Sequence, residues 1–324
     1  MKKRFLILSL ATALLLTACG RSVGAQQEEK LTIAATTYPV YLLASAVIAG
    51  VEGIEVVRLD TGSTSCLHDY NLTVNDMKKI ERADVIALNG AGLEEFMEDA
   101  LATSDALVID CSVGVELLEN EGHHHEEEEA EEMDDHGHDH GHFDPHYWMD
   151  MENAIVMVEN IAEAMEKLDA EHAEIYRTNA MEQGLVIKAW DSELKDCFRL
   201  SEDAGMAIPG LITFHDGFRY FCHAYDLPLL ESIEEEAGSE ASAKEIVEIT
   251  HLVKEHDIPV IFTEVNGSDA TAKAIVRETG CTIARLSMVM DGPDDDLSNY
   301  LNTMMENMAA VINGFAEEEV VIIR

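Results

Sequence analysis

The chain has 324 residues, 47% of them hydrophobic, and its formal net charge at pH 7 is −43. This length allows two domains with separate hydrophobic cores. The acidity excludes nucleic acid as a partner because like charges repel, and it favours cations as ligands, although most of the charge serves solubility alone.

The first residues predict export. Three basic residues follow the initial Met, and the apolar run Phe5–Leu16 comes next. This run is shorter than the about 20 residues that a membrane-spanning helix needs, so it is typical of a cleaved export signal. Its end, Leu16-Thr17-Ala18-Cys19, resembles the lipobox of bacterial lipoproteins. The resemblance implies cleavage after residue 18 and a lipid on Cys19.

The export signal predicts where the protein works. We expect a signal peptide over 1–18 and a polar tether over 19–30. The lipid would anchor the protein to the outer face of the bacterial cytoplasmic membrane, and the alternative location is the periplasm. The lipid would be the only contact with the membrane. Cleavage would leave 18 basic and 64 acidic residues, a net charge of −46.

From Leu31 onward, strand and helix patterns alternate. Short apolar runs predict buried strands at Leu31–Ala35, Ile54–Leu59, Asp84–Leu88 and Leu107–Asp110. Helix patterns lie between them at Pro39–Ala49, Val74–Arg82 and Leu93–Leu101. Such alternation predicts a mainly parallel sheet with helices on both faces.

The segment 119–142 interrupts this alternation. It has almost no apolar side chains, and it contains seven histidines among many Glu and Asp residues: His123, His124, His125, His136, His138, His140 and His142. A segment of this composition cannot bury enough apolar surface to fold, so we expect a mobile loop. Its histidines would form a secondary metal-binding segment.

Two helix patterns follow, Met151–Leu168 and the unusually long Ala170–Leu200. A helix of about 30 residues is about 45 Å long, more than the width of one domain. Strands are predicted again at Leu211–Phe214, Val260–Thr263 and Thr282–Leu286, and helices at Ala243–His256, Asp269–Thr279 and Leu297–Ile312.

These patterns predict an α/β fold. Two doubly wound lobes, residues 31–168 and 201–324, would be joined by one long rigid helix over 169–200. Ligands of open α/β sheets bind beyond the carboxyl ends of the strands, so we expect the ligand in the cleft between the lobes.

Three histidines outside the loop lie in similar local sequences. His68 and His215 each precede an aspartate in a loop after a predicted strand, and His146 lies just before a helix, two residues after an aspartate. Carboxylates near metal-bound imidazoles orient them. One such histidine alone would more often be a surface residue, but the three together with the His-rich loop favour a metal site.

The motifs around these histidines resemble those of the ZnuA-like solute-binding proteins, the metal-binding lipoproteins of bacterial zinc and manganese ABC importers. HDY at 68–70 resembles the first ligand motif, DPHYWMD at 144–150 the DPHxWLDP motif, and HDGF at 215–218 the HDAF-like third motif. The resemblance extends from about Leu31 to Ile323 and includes the His-rich loop and the long helix.

The resemblance implies a metal site and partners. His68, His146 and His215 would hold the ion, and the partners would be an ABC permease and its ATPase subunit. We expect a monomer without enzyme activity.

The fourth metal ligand stays open. Members of the family commonly place an aspartate after the last strand of the second lobe, and by register Met288 stands there in this chain. Asp291, Glu264, Cys66 or a water molecule could take its place. A thiolate would suit zinc, although a buried unliganded cysteine is more common.

The sulfur-containing residues leave two questions open, the disulfide pairing of the cysteines and a role of the methionines in copper binding. Besides Cys19 the chain has five cysteines, Cys66, Cys111, Cys197, Cys222 and Cys281. This odd number leaves at least one unpaired, and the pairing cannot be read from the sequence. The methionines at 288, 290, 304, 305 and 308 would suit copper, but spacing typical of helix and core explains them better.

Zinc is the predicted ion because the site is poor in the carboxylate oxygens that manganese prefers. The alternatives are a manganese- or iron-binding protein of the same transporter type, a zinc-dependent hydrolase and a surface adhesin. The chain has no HExxH or GxSxG motif, which disfavours the hydrolase, and no residue pattern supports a protein-binding face. Because bound imidazoles are neutral, metal affinity should fall as the pH drops through about 6.5.

Overall fold

The structure is a computed structural model that describes residues 30–63, 67, 70–120, 142–233, 242–265, 267–317 and 320–321. In this part of the chain, two four-stranded parallel sheets form two lobes, and one helix of 31 residues connects them. The predicted α/β class, with two lobes and a long helix, is confirmed.

The first lobe contains a sheet of strand order β2-β1-β3-β4. Its strands are β1 (Leu31–Ala35), β2 (Ile54–Arg58), β3 (Val85–Leu88) and β4 (Leu107–Asp110), and its helices are α1 (Tyr38–Val47), α2 (Val74–Arg82) and α3 (Glu98–Thr103). Ala35 pairs with both Arg58 and Ala87, so β1, β2 and β3 end at the same edge of the sheet.

Two polar residues start helices in this lobe. Thr37 accepts a hydrogen bond from the backbone N–H of Val40, and Thr73 forms a capping box with Asp76. Both side chains satisfy backbone donors that have no partner within the helix. The chain therefore turns into a helix directly after β1, at the edge where the strands end.

The long helix contacts both lobes. It is α5 (Ala173–Asp203), about 46 Å long, and it follows α4 (Met151–Leu168). It packs against α1 and α4 of the first lobe and against α9 (Ser298–Ala316) of the second lobe. Asn179 Nδ2 donates to the carbonyls of Val47 and Ala49, at 2.8 and 2.9 Å, and so attaches α5 to the end of α1.

The second lobe repeats the architecture with strand order β6-β5-β7-β8. Its strands are β5 (Leu211–Thr213), β6 (Leu229–Ser232), β7 (Val260–Glu264) and β8 (Thr282–Leu286), and its other helices are α6 (Arg219–Ala224), α7 (Ala243–Glu255) and α8 (Ala270–Thr279). The elements α6 and β6 were not predicted, because they have only six and four residues and lack a complete period of apolar side chains.

Two predicted helix starts were wrong. The helix predicted from Leu93 begins at Glu98, after a 3-10 turn. Glu94 accepts hydrogen bonds from the backbone N–H groups of Asn89 and Gly90, at 2.7 and 3.0 Å, and holds these residues in a turn. The helix predicted from Ala170 begins at Ala173 because residues 170–172 form a turn.

The described cysteines Cys111, Cys197, Cys222 and Cys281 are free thiols. Burial raises the pKa of Cys222 to about 12, so this thiol stays protonated at neutral pH. Within the described ranges, no helix is both long enough and apolar enough to cross a membrane.

Candidate metal centre

His146 lies where the two lobes meet, in the segment before α4. Asn89 Nδ2, at the end of β3, donates to the Pro145 carbonyl at 3.0 Å. Tyr220 of the second lobe donates through its hydroxyl to the Asp144 carbonyl, also at 3.0 Å. These bonds fix the backbone on both sides, and His146 is 7% exposed.

Asp144 fixes the orientation of the His146 ring and determines which ring nitrogen carries the proton. Asp144 Oδ1 lies 2.8 Å from His146 Nδ1 and also accepts the backbone N–H of His146 at 2.9 Å. This contact assigns the proton to Nδ1 and leaves Nε2 as the nitrogen for a metal. Burial opposes the charged ring, but the hydrogen bond and charge of Asp144, with Asp216 and Glu264, outweigh it and raise the pKa of His146.

His215 faces His146 from the other lobe. It follows β5, and Thr213 Oγ1 donates to its carbonyl at 3.1 Å. The centroids of the two imidazole rings are 5.3 Å apart and the rings are nearly perpendicular, at 88°. The structure therefore brings together two of the three predicted histidine ligands, one from each lobe.

Met288 occupies this meeting point as well. It is 1% exposed, and its carbonyl accepts a hydrogen bond from Trp148 Nε1 at 2.8 Å. A Cβ atom on Gly217 would overlap Met288 Sδ and would lie 2.9 Å from His215 Cδ2 and 3.4 Å from His146 Cδ2. The sulfur and the edges of both imidazoles thus border the small space beside Gly217.

Glu264 is a second buried carboxylate of the region, besides Asp144. It is the last residue of β7 and is 4% exposed. Burial raises the pKa of Glu264 to about 7, and a positive charge on His146 acts in the opposite direction. Near neutral pH this carboxyl group is therefore close to the point where it gains or loses a proton.

Asp291, another candidate ligand, has a different partner. Its Oδ1 lies 2.8 Å from Arg58 Nη2, and its side chain is 53% exposed. The Arg58 guanidinium also lies 4.8 Å from the centroid of the Tyr38 ring. Asp291 therefore joins the second lobe to the end of β2 at the surface.

Several predicted site residues lie outside the described residues. They are His68, Cys66 and the loop histidines His123, His124, His125, His136, His138 and His140. His142 is described, and it is exposed, with Nε2 4.0 Å from a Glu119 oxygen. Among the described residues, no three His, Cys, Asp or Glu side chains are grouped as metal ligands.

The sequence did not reveal the hydrogen bonds by which Asn89, Glu94 and Tyr220 support the site. These bonds involve backbone atoms, and such contacts leave no residue pattern. Gly217 was detectable, because it stands where the HDAF-like motif has alanine, and Met288 replaces the expected aspartate. A Cβ atom at position 217 would overlap Met288 Sδ, so glycine at 217 leaves room for the methionine side chain at 288.

Two α/β lobes that each bring one histidine to their meeting point form the arrangement expected from the resemblance to the ZnuA-like solute-binding proteins. Residues 33–314 match the ZnuA family, described as "Zinc-uptake complex component A periplasmic", and the chain belongs to this family.

Several relatives share most of the chain. It is 28% identical over 318 residues to the zinc-binding lipoprotein AdcA of Streptococcus pneumoniae serotype 4, covering 96% of this chain and 60% of AdcA. It is 27% identical over 291 residues to the iron-binding protein YfeA of Yersinia pestis, covering 87% and 86%. The chain thus spans about 60% of the length of the streptococcal relatives that it matches.

Solved structures share the fold. The solute-binding protein FpvC from Pseudomonas aeruginosa, in complex with Mn²⁺, superposes with a TM-score of 0.73 at 26% identity. The similarity covers 89% of this chain and 99% of FpvC.

Proposed function

We propose that this protein captures Zn²⁺ outside the cytoplasm and delivers it to the permease and ATPase of an ABC importer. The observation that carries the proposal is the meeting of His146 and His215, whose ring centroids are 5.3 Å apart although the residues belong to different lobes. His68 is the third ligand of the proposed site. An ion bound by both lobes would couple its own release to their separation.

The donor atoms favour zinc over manganese. Relatives are named for zinc and for iron, and FpvC is seen with Mn²⁺, so the choice of ion depends on the ligands rather than on the fold. Zinc prefers nitrogen and sulfur, whereas manganese prefers carboxylate oxygen. Met288, at the position where the family commonly has an aspartate, makes the site poorer in oxygen.

Glu264 is the better placed carboxylate for a fourth ligand. It is buried, and its charge influences His146, whereas Asp291 is exposed and paired with Arg58. A bound cation would favour the ionised form of Glu264, so zinc would release its proton near neutral pH.

The lipid on Cys19 completes the proposal, and the relative from Streptococcus pneumoniae is itself named a lipoprotein. We infer binding without catalysis, because an importer requires that the ion leave the site intact.

Competition with a coloured zinc chelator tests the proposal. We expect the protein to take zinc from the chelator with manganese in large excess, and we expect alanine at His68, His146 or His215 to weaken zinc binding by more than about 100-fold. His251→Ala is the matched control, because His251 is an exposed histidine on α7. Displacement of zinc by equimolar manganese, or full zinc affinity in His215→Ala, would contradict the assignment.

A further inference from the structure

Met288 differs from the other methionines near the end of the chain. Met304 and Met308 lie on α9 and are fully buried, which fits the role in the hydrophobic core that their spacing predicts. Met288 is buried too, but its sulfur borders Gly217 together with His146 and His215. Met288, unlike Met304 and Met308, thus borders the proposed metal site.

Hydrogen bonds from two side chains fix the backbone at Ser287 and Met288. Its carbonyl accepts the indole N–H of Trp148 at 2.8 Å. Asn307 accepts from the backbone N–H of Ser287 at 2.8 Å and donates to the Ser287 carbonyl at 2.7 Å. The next residue, Val289, has φ +61°, a conformation that β-branched residues rarely adopt. Such strain persists only where the surroundings enforce it.

Gly217 provides the space for the sulfur. Any side chain at this position would begin with a Cβ atom that overlaps Met288 Sδ. The thioether position therefore depends on glycine at 217, and an alanine there would displace the sulfur from the histidine pair.

A thioether is a neutral, soft donor. Because it carries no charge, it adds less to the binding of a divalent ion than a thiolate or a carboxylate does, whereas Cu(I) favours thioether sulfur, and imidazole also binds copper. Two neutral imidazoles and one thioether suit a soft monovalent ion, which gains less from carboxylate ligands than a divalent ion does.

We propose that the cleft also binds soft monovalent ions, Cu⁺ and its analogue Ag⁺, with Met288 Sδ, His146 and His215 as ligands. This inference rests on the proposed function only in using the same histidine pair. Because these three donors are sufficient, His68 is needed for Zn²⁺ but not for Cu⁺. The ion is bound as Cu⁺ and no electron is transferred.

Anaerobic competition for Cu⁺ against bicinchoninate, on the full chain, tests this. Met288→Leu keeps the size of the side chain and removes the sulfur, so we expect Cu⁺ affinity to fall at least about tenfold while zinc affinity changes less than about threefold. Met290→Leu, a buried methionine two residues away, is the matched control and should leave both affinities unchanged. Gly217→Ala should lower Cu⁺ affinity as Met288→Leu does. Unchanged Cu⁺ affinity in Met288→Leu would overturn the proposal.

Two further measurements separate this proposal from zinc capture. His68→Ala should lose zinc and retain Cu⁺, whereas equal losses of both ions would overturn the three-donor site. In protein grown with selenomethionine, X-ray absorption at the copper edge should show a selenium neighbour, which also distinguishes Met288 from a cysteine sulfur. A shell without selenium would refute ligation by Met288 even if the leucine variant failed to fold. A wild-type protein that bound Cu⁺ but not zinc would refute zinc capture alone.

Discussion

Asp144 acts on two atoms of His146, the ring Nδ1 and the backbone N, through a single carboxylate oxygen. The other oxygen, Oδ2, is buried and has no hydrogen-bond partner among the described residues. The negative charge of Asp144 is therefore directed mainly at the imidazole. At the scale of single residues, this carboxylate makes His146 a more basic metal ligand and fixes the orientation of its ring.

Removing this charge should weaken metal binding without removing a ligand. We expect Asp144→Asn to lower zinc affinity by about 10- to 100-fold, because the amide can accept the same hydrogen bonds but carries no charge. Asp169→Asn is a matched control, since Asp169 Oδ2 contacts His172 Nδ1 at 2.7 Å in a similar pair away from the site. Titration against a zinc chelator measures both variants, and equal affinities in the two would show that Asp144 has no special role.

At the scale of elements, the sequence predicted most helices and strands. The helices bury one face and therefore show a period of apolar residues, and the buried strands appear as short continuous apolar runs. Strands β1 and β8 have the predicted bounds. The edge strand β6 and the short helix α6 escaped prediction because their burial depends on neighbours far along the chain. The same reason limits the site: His146 and His215 were found from local motifs, whereas the contact between Gly217 and Met288 joins residues 71 positions apart and is visible only in the fold.

Backbone hydrogen bonds join the two ends of the His-rich segment. Glu119 and Phe143 form an antiparallel bridge, and the backbone N–H of Asn120 donates to the His142 carbonyl at 3.1 Å. The two ends of the segment therefore lie side by side, so its central part can be removed without stretching the chain.

Deletion of residues 122–141 should separate two classes of zinc site. We expect the total zinc stoichiometry to fall, because six of the seven segment histidines are lost, while one tight site remains at His68, His146 and His215. Equilibrium dialysis measures the stoichiometry, and chelator competition measures the tight site. Loss of the tight site in the deletion variant would place the segment within the primary site instead.

At the scale of the whole molecule, hydrogen bonds near the site hold the lobes together. Tyr300 of α9 donates to the Trp148 carbonyl at 2.7 Å, and the Trp148 indole donates to the Met288 carbonyl. The ion pair of Arg58 and Asp291 adds a contact at the surface. Motion of either lobe therefore changes the surroundings of His146, so metal binding and the stability of the whole fold are linked.

A rise in pH should act in opposite directions on the stability of the metal-free protein and on the strength of zinc binding. Burial raises the pKa of Glu94 and of Glu264 to about 7, above the ordinary glutamate value of 4.5. Between these pH values the folded protein keeps protons that the unfolded chain has lost, so its free energy of unfolding falls as the pH rises. His146, with its raised pKa, contributes in the same direction above pH 6.5. Zinc binding instead becomes stronger as His146 loses its proton.

The unfolding temperature of the metal-free protein should therefore fall between pH 5 and 7, where each raised glutamate contributes up to about 1.4 kcal/mol per pH unit. The stabilisation by zinc should grow from pH 5 to 8, and it should still be growing above pH 6.5 because the pKa of His146 is raised. Glu94→Gln should flatten the slope of the metal-free protein, since it removes one of these groups. Calorimetry with and without zinc measures both curves. A metal-free protein that became more stable from pH 5 to 7, or a Glu94→Gln variant with the wild-type slope, would contradict this account of the buried carboxyl groups.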